Sequence, residues 1–123
     1  MYKNIPITPA YENLTDAALL RDFLQEPPAR KAMYLGVLGS RGARFKDVLF
    51  KEAICPENRS TDFYAFIKIA WLVVIAVLEY SEDDEVKSEI AETIKQHWTE
   101  TEYDDFINYI KDNQGFVPYF RYY

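Results

Sequence analysis

Glu85, Glu89 and Glu92 follow one another at spacings of four and three, which on a helix sets their carboxylates on one ridge. Glu82, Asp83 and Asp84 run directly into them, and Asp104 and Asp105 come later in the chain. Crowded carboxylates can do acid–base chemistry, hold a divalent cation, or present a negative field to a basic partner.

The first two uses need companions that this chain lacks. It has one Cys and one His. A Cys55–His97 pair would make a nucleophilic thiolate, but Cys55 reads as a small buried residue at a helix end and His97 as part of a last helical turn. No nucleophile-elbow pattern is present. Glu82-Asp-Asp-Glu85 has no EF-hand spacing and no turn Gly, and Glu89 and Glu92 have no Glu-x-x-His counterpart. The expectation is no metal, no cofactor and no enzyme activity. Lys68 has Tyr64, Ala65, Trp71 and Leu72 at helical spacing and reads as a snorkelling or ion-paired lysine rather than a catalytic amine.

A basic stretch carries the opposite sign. Arg30, Lys31, Arg41, Arg44, Lys46 and Lys51 are offset only by Glu26, Asp47 and Glu52. Within it, Gly39-Ser-Arg-Gly42 precedes a helix but lacks the Gly-Lys-Ser/Thr ending of a phosphate loop, so it reads as a surface loop. Residues 1–78 sum to +2, residues 79–113 to −9, and the whole chain to −6. That balance argues against general phosphate-backbone binding, which needs clustered Lys and Arg.

The elements that must position these charges are helical. Residues 61–80 carry a single charge, Lys68, between Asp62 and Glu79, and apolar residues fall at every helical angle. Such a helix is buried all round. Its uncharged run, Ile69 to Leu78, is ten residues, too short for a membrane span of about 20. Val73-Val74-Ile75 could form a buried strand, but the length of the run favours a helix.

Around it, residues 1–12 read as an extended arm with Pro6 and Pro9. Asn13 caps a helix to Gln25 that presents Leu20, Phe23 and Leu24. Pro28 opens a helix to Leu38, weakened by Gly36. A helix from Ala43 to Ile54 shows Phe45, Val48 and Leu49 on one face, and Pro56 stops it. The loop at 56–59 leads to Ser60 or Thr61 as cap of the central helix. After the acidic turn, a helix to His97 buries Val86, Ile90 and Ile94. Thr99-Glu-Thr-Glu102 is a capping box with Trp98 and Tyr103 at staple positions, and it opens a last helix presenting Tyr103, Phe106, Ile107 and Ile110. The tail 116–123 is aromatic and is expected to pack back on the body.

The fold expected is one all-α domain of 123 residues, five or six helices around residues 61–80, with 49% hydrophobic residues to fill its core. The lone Cys and an N-terminus without an apolar leader point to the cytoplasm. The expected function is that of a small acidic inhibitor or immunity-type protein neutralising a basic protein, a toxin or nuclease, through Glu82, Asp83, Asp84, Glu85, Glu89, Glu92, Asp104 and Asp105. The same field would suit a nucleic-acid mimic. A regulatory or adaptor module reading a peptide through the aromatic tail is the alternative.

Overall fold

A computed structural model describes residues 4–112 of the chain. The expected tail, 116–123, lies outside the described residues. The fold is all-α: α1 (Pro9–Glu12), α2 (Asp16–Gln25), α3 (Pro28–Lys31), α4 (Leu35–Ser40), α5 (Lys46–Ile54), α6 (Pro56–Ser60), a hairpin of β1 (Asp62–Tyr64) and β2 (Ile67–Lys68), then α7 (Ile69–Tyr80), α8 (Asp84–His97) and α9 (Glu100–Ile110). Among the described residues, α2, α5, α7, α8 and α9 are the helices longer than two turns.

The central helix is α7. Every residue from Ile69 to Leu78 is buried except Leu72, which is half-buried. Side chains from α4, α5, α6 and α8 wall it in. Val73, Val74 and Ile75 are helical, as length argued.

The helix starts eight residues later than the apolar run suggested. Residues 62–68 form an antiparallel hairpin instead, with Asp62 opposite Lys68 and Tyr64 opposite Ile67. Aromatic and β-branched residues favour a strand, and Lys68 Nζ closes the pair on Asp62 Oδ1 at 2.6 Å. Thr61 does not cap α7. Its carbonyl accepts the Ile69 N–H at 2.9 Å, which ties the base of the hairpin to the helix start.

Where the apolar run ends, Glu79 and Tyr80 capture the N-terminal arm. The Glu79 carboxylate accepts the Asn4 and Ile5 N–H groups at 2.8 and 2.9 Å, and the Tyr80 hydroxyl donates to the Ile5 carbonyl. Ile5 is buried. The arm also turns into α1, so it is not extended throughout. It crosses α4 so closely that a Cβ on Gly36 would stand 2.0 Å from the Pro6 carbonyl oxygen. Gly36 is therefore a contact point rather than only a weak helical residue.

Local chemistry sets the other boundaries. Thr15, not Asn13, caps α2, its hydroxyl accepting the Ala18 N–H at 3.1 Å. Leu19 and Phe23 are buried there, while Leu24 points outward, because a spacing of four keeps the first two on one side. The expected helix 28–38 is broken by a tight 3₁₀ turn at Ala32–Tyr34. Gly39 and Ser40 belong to the last turn of α4 rather than to a loop, and a second 3₁₀ turn, Gly42–Phe45, delays α5 to Lys46. Pro56 opens the single turn α6 where a loop was expected. At α9 both capping-box bonds are made, Glu102 N–H to Thr99 Oγ1 at 3.1 Å and Thr99 N–H to Glu102 Oε1 at 2.8 Å. Trp98 and Tyr103 are buried beside them, and the Trp98 indole donates to the Ala53 carbonyl at 2.9 Å.

Two substitutions test this packing. Ile75→Ala should lose about 2–5 kcal/mol, the usual range for emptying a core site, measured by urea unfolding. Gly36→Ala should lose roughly 1–3 kcal/mol, as overpacking does, and hydrogen exchange should show the Ile5 amide unprotected.

Candidate functional site

The structure carries the ridge of α8 as its spacing requires. Asp84, Glu85, Ser88, Glu89 and Glu92 share one open, shallow surface. Glu85, Glu89 and Glu92 are all exposed, while Ile90, Ala91 and Ile94 occupy the buried side. The carboxylates are not equally free. Glu89 Oε1 pairs with Lys46 Nζ at 2.8 Å, and that contact holds the ammonium above its ordinary pKa. Glu92 accepts from the Gln96 amide at 3.1 Å. Asp83 caps the helix, its Oδ1 accepting the Glu85 N–H at 2.8 Å. The Glu85 carboxylate has no hydrogen bond or ion pair to any described residue.

The other expected site residues are distributed differently. Glu82 and Asp83 edge a separate cleft of about 420 Å³, whose walls include Gly39, Lys46, Phe50 and Tyr80. Asp104 and Asp105 are exposed on α9. Asp105 lines a recess against the hairpin, with Asp62 and Lys68, and does not share the surface of Glu85, Glu89 and Glu92.

The basic stretch is largely spent on structure. Arg41 Nη1 and Arg44 Nη1 both grip Asp16, at 2.8 and 2.7 Å, and Arg41 Nη2 donates to the Glu12 carbonyl at 3.1 Å. Arg30 pairs with Glu26 at 3.2 Å. Lys31 reaches the buried Glu52 at 3.0 Å, whose carboxylate also accepts from Asn58 at 3.0 Å. Lys68 is ion-paired, as its setting suggested. His97 Nδ1 sits 2.9 Å from the Thr93 carbonyl of its own helix. No group of His, Cys, Asp or Glu among the described residues could hold a metal ion. No helix of the described residues is long and apolar enough to cross a membrane.

Glu102 belongs to the fold rather than to this surface. Burial pushes its carboxyl upward, but Arg59, at 2.6 Å, and the Thr99 amide outweigh that and hold it below the ordinary carboxylate range.

One feature escaped the helical reading of residues 61–80. Phe63, Tyr64 and Phe66 on the hairpin and Tyr109 on α9 are exposed, Tyr64 by 73% and Phe66 by 65%. Phe66 stands edge-on to both Trp71 and Tyr109, at 6.3 Å between centroids in each case. The signal available was the strand-favouring run Phe-Tyr-Ala-Phe-Ile between Asp62 and Lys68.

No protein-family model matches this chain, no curated protein matches it in sequence, and no solved structure matches it.

Exposed carboxylates add little to folding. The triple variant E85Q/E89Q/E92Q should therefore unfold in urea within about 0.5 kcal/mol of the natural chain, Glu89 included, since its pair with Lys46 is half-exposed.

Proposed function

We propose that this chain is a binding protein that docks a basic protein partner on the carboxylate ridge of α8 and neutralises it by covering its working surface. An inhibitor or immunity-type role against a toxin or nuclease is the form that fits best. The observation that carries the reading is the open surface of Asp84, Glu85, Ser88, Glu89 and Glu92 on a two-sided helix. Holding like charges together costs folding energy through self-repulsion. The buried side of α8, with Ile90, Ala91 and Ile94 in the core, fixes the ridge on the outer side of the helix. The −9 carried by residues 79–113 gives the field its source.

Such a field acts mainly on encounter, speeding association by about ten-fold or more at low salt and much less at high salt. A partner would be sought by capture from the native cell, then purified. Association with the natural chain and with E85Q/E89Q/E92Q would be followed by stopped-flow across a salt series. The triple variant should associate more slowly at low salt, with a shallower salt slope. Equal rates and equal slopes would reduce the ridge to ordinary solvated surface.

A further inference from the structure

Where β1 and β2 meet α9 there is a recess of about 560 Å³ lined by Asp62, Phe66, Lys68, Trp71, Asp105 and Tyr109, with Asn108 at its edge. Its walls are aromatic. Trp71, only 6% exposed, forms the floor. The Tyr109 ring lies 5.1 Å from it at an interplanar angle of 32°, and Phe66 stands edge-on beside both. The hairpin holds Phe66 in place through a two-residue turn in which Ala65 takes φ 53°.

The rim is charged, and the charges are not balanced. Lys68 is spent on Asp62 at 2.6 Å. Asp105 makes no hydrogen bond or ion pair with any described residue. Arg59, which also borders Asp105, is spent on Glu102 at 2.6 Å, so the recess offers the exposed rings of Phe66 and Tyr109 beside a carboxylate that makes no ion pair with any described residue.

We propose that this recess takes the guanidinium of an arginine carried by a protein partner. Each rival occupant fails on one feature. An aliphatic or aromatic side chain would cover the rings but strip water from Asp105 and leave it unpaired, a cost that grows with burial. An anion meets the Asp105 charge. A second copy of the chain, docked through this patch about a two-fold axis, would bring one Asp105 toward the other. A lysine ammonium is a compact, strongly hydrated charge and cannot match a planar wall. The guanidinium is planar and weakly hydrated. It stacks on aromatic faces and forms two parallel bonds to a carboxylate. Its aliphatic stem would lie along the exposed edge of Phe66.

The inference deepens the reading of the chain as a binder of basic proteins, and rests on it only for the partner's class. The α8 ridge would speed encounter, while the recess would fix one arginine in a desolvated setting, the usual character of an interface anchor.

The test uses the full chain and a small probe, so it stands apart from any partner. N-acetyl-arginine methylamide would be titrated against the protein by NMR, alongside its lysine, leucine and citrulline counterparts. The Phe66 and Tyr109 ring signals and the Asp105 amide should shift saturably with the arginine probe, several-fold more weakly with lysine, and without saturation with leucine or citrulline. Asp105→Asn and Phe66→Ala should each weaken arginine binding by about five-fold or more. Both side chains are exposed, so an unchanged backbone spectrum is expected. Tyr64→Ala, which is not part of the recess lining, should keep it. Saturation by leucine or citrulline equal to that by arginine would overturn the proposal, as would ring signals that move with protein concentration alone. If arginine binds while partner association ignores the α8 charges, the ridge reading fails and the recess stands; the reverse result sinks the recess alone.

Discussion

The structure depends on burying one helix from every side. A helix with a polar face needs one neighbour, whereas α7 has no polar face and must be enclosed. Fully burying each large apolar side chain contributes about 1.5–3 kcal/mol, and nine of the twelve residues of α7 are buried. That gain must offset the ordering of the segments that surround it, each residue of which costs about 1–2 kcal/mol of backbone entropy. The short pieces α3, α4 and α6, separated by 3₁₀ turns, make sense on these terms. Short helices have no need to be stable alone where they pack against α7, as α4 and α6 do.

Both ends of that helix are therefore boundaries where apolar packing gives way to polar chemistry. At the C-terminal end Glu79 and Tyr80, both half-buried, clamp the arm. At the N-terminal end the chain leaves the core as a hairpin, and its aromatic residues have no remaining place inside. Tyr64 and Phe66 stay exposed for that reason, and Phe66 packs against Trp71 and Tyr109 at the margin of the core.

What could be read in the sequence divides along the same physical line. Features set by chemistry a few residues long were legible: the capping box at Thr99 and Glu102, the stop at Pro56, the ridge of Glu85, Glu89 and Glu92. So was the core character of residues 69–78, since hydrophobicity at every angle leaves one interpretation. The start of α7 was not, because Phe63 to Ile67 are apolar in either conformation, and only the Asp62–Lys68 pairing separates strand from helix. The need for Gly36 comes from the arm packing across α4, a contact between residues some thirty positions apart. For the site, spacing placed the α8 carboxylates correctly relative to one another. It could not say that Asp105 would sit with the hairpin, because that depends on how α9 packs. Nor could it say that Arg30, Lys31, Arg41, Arg44 and Lys46 would pair with Glu26, Glu52, Asp16 and Glu89.

The proposed binding role requires a partner that covers the α8 carboxylates. Carbodiimide labelling of exposed Asp and Glu side chains, quantified by mass spectrometry with and without the captured partner, reads this directly. Labelling of Glu85, Glu89 and Glu92 should fall sharply in the complex, while Glu12 and Glu57, exposed on α1 and α6, should label as before. A complex in which the three α8 carboxylates label as fully as in the free chain would contradict the account.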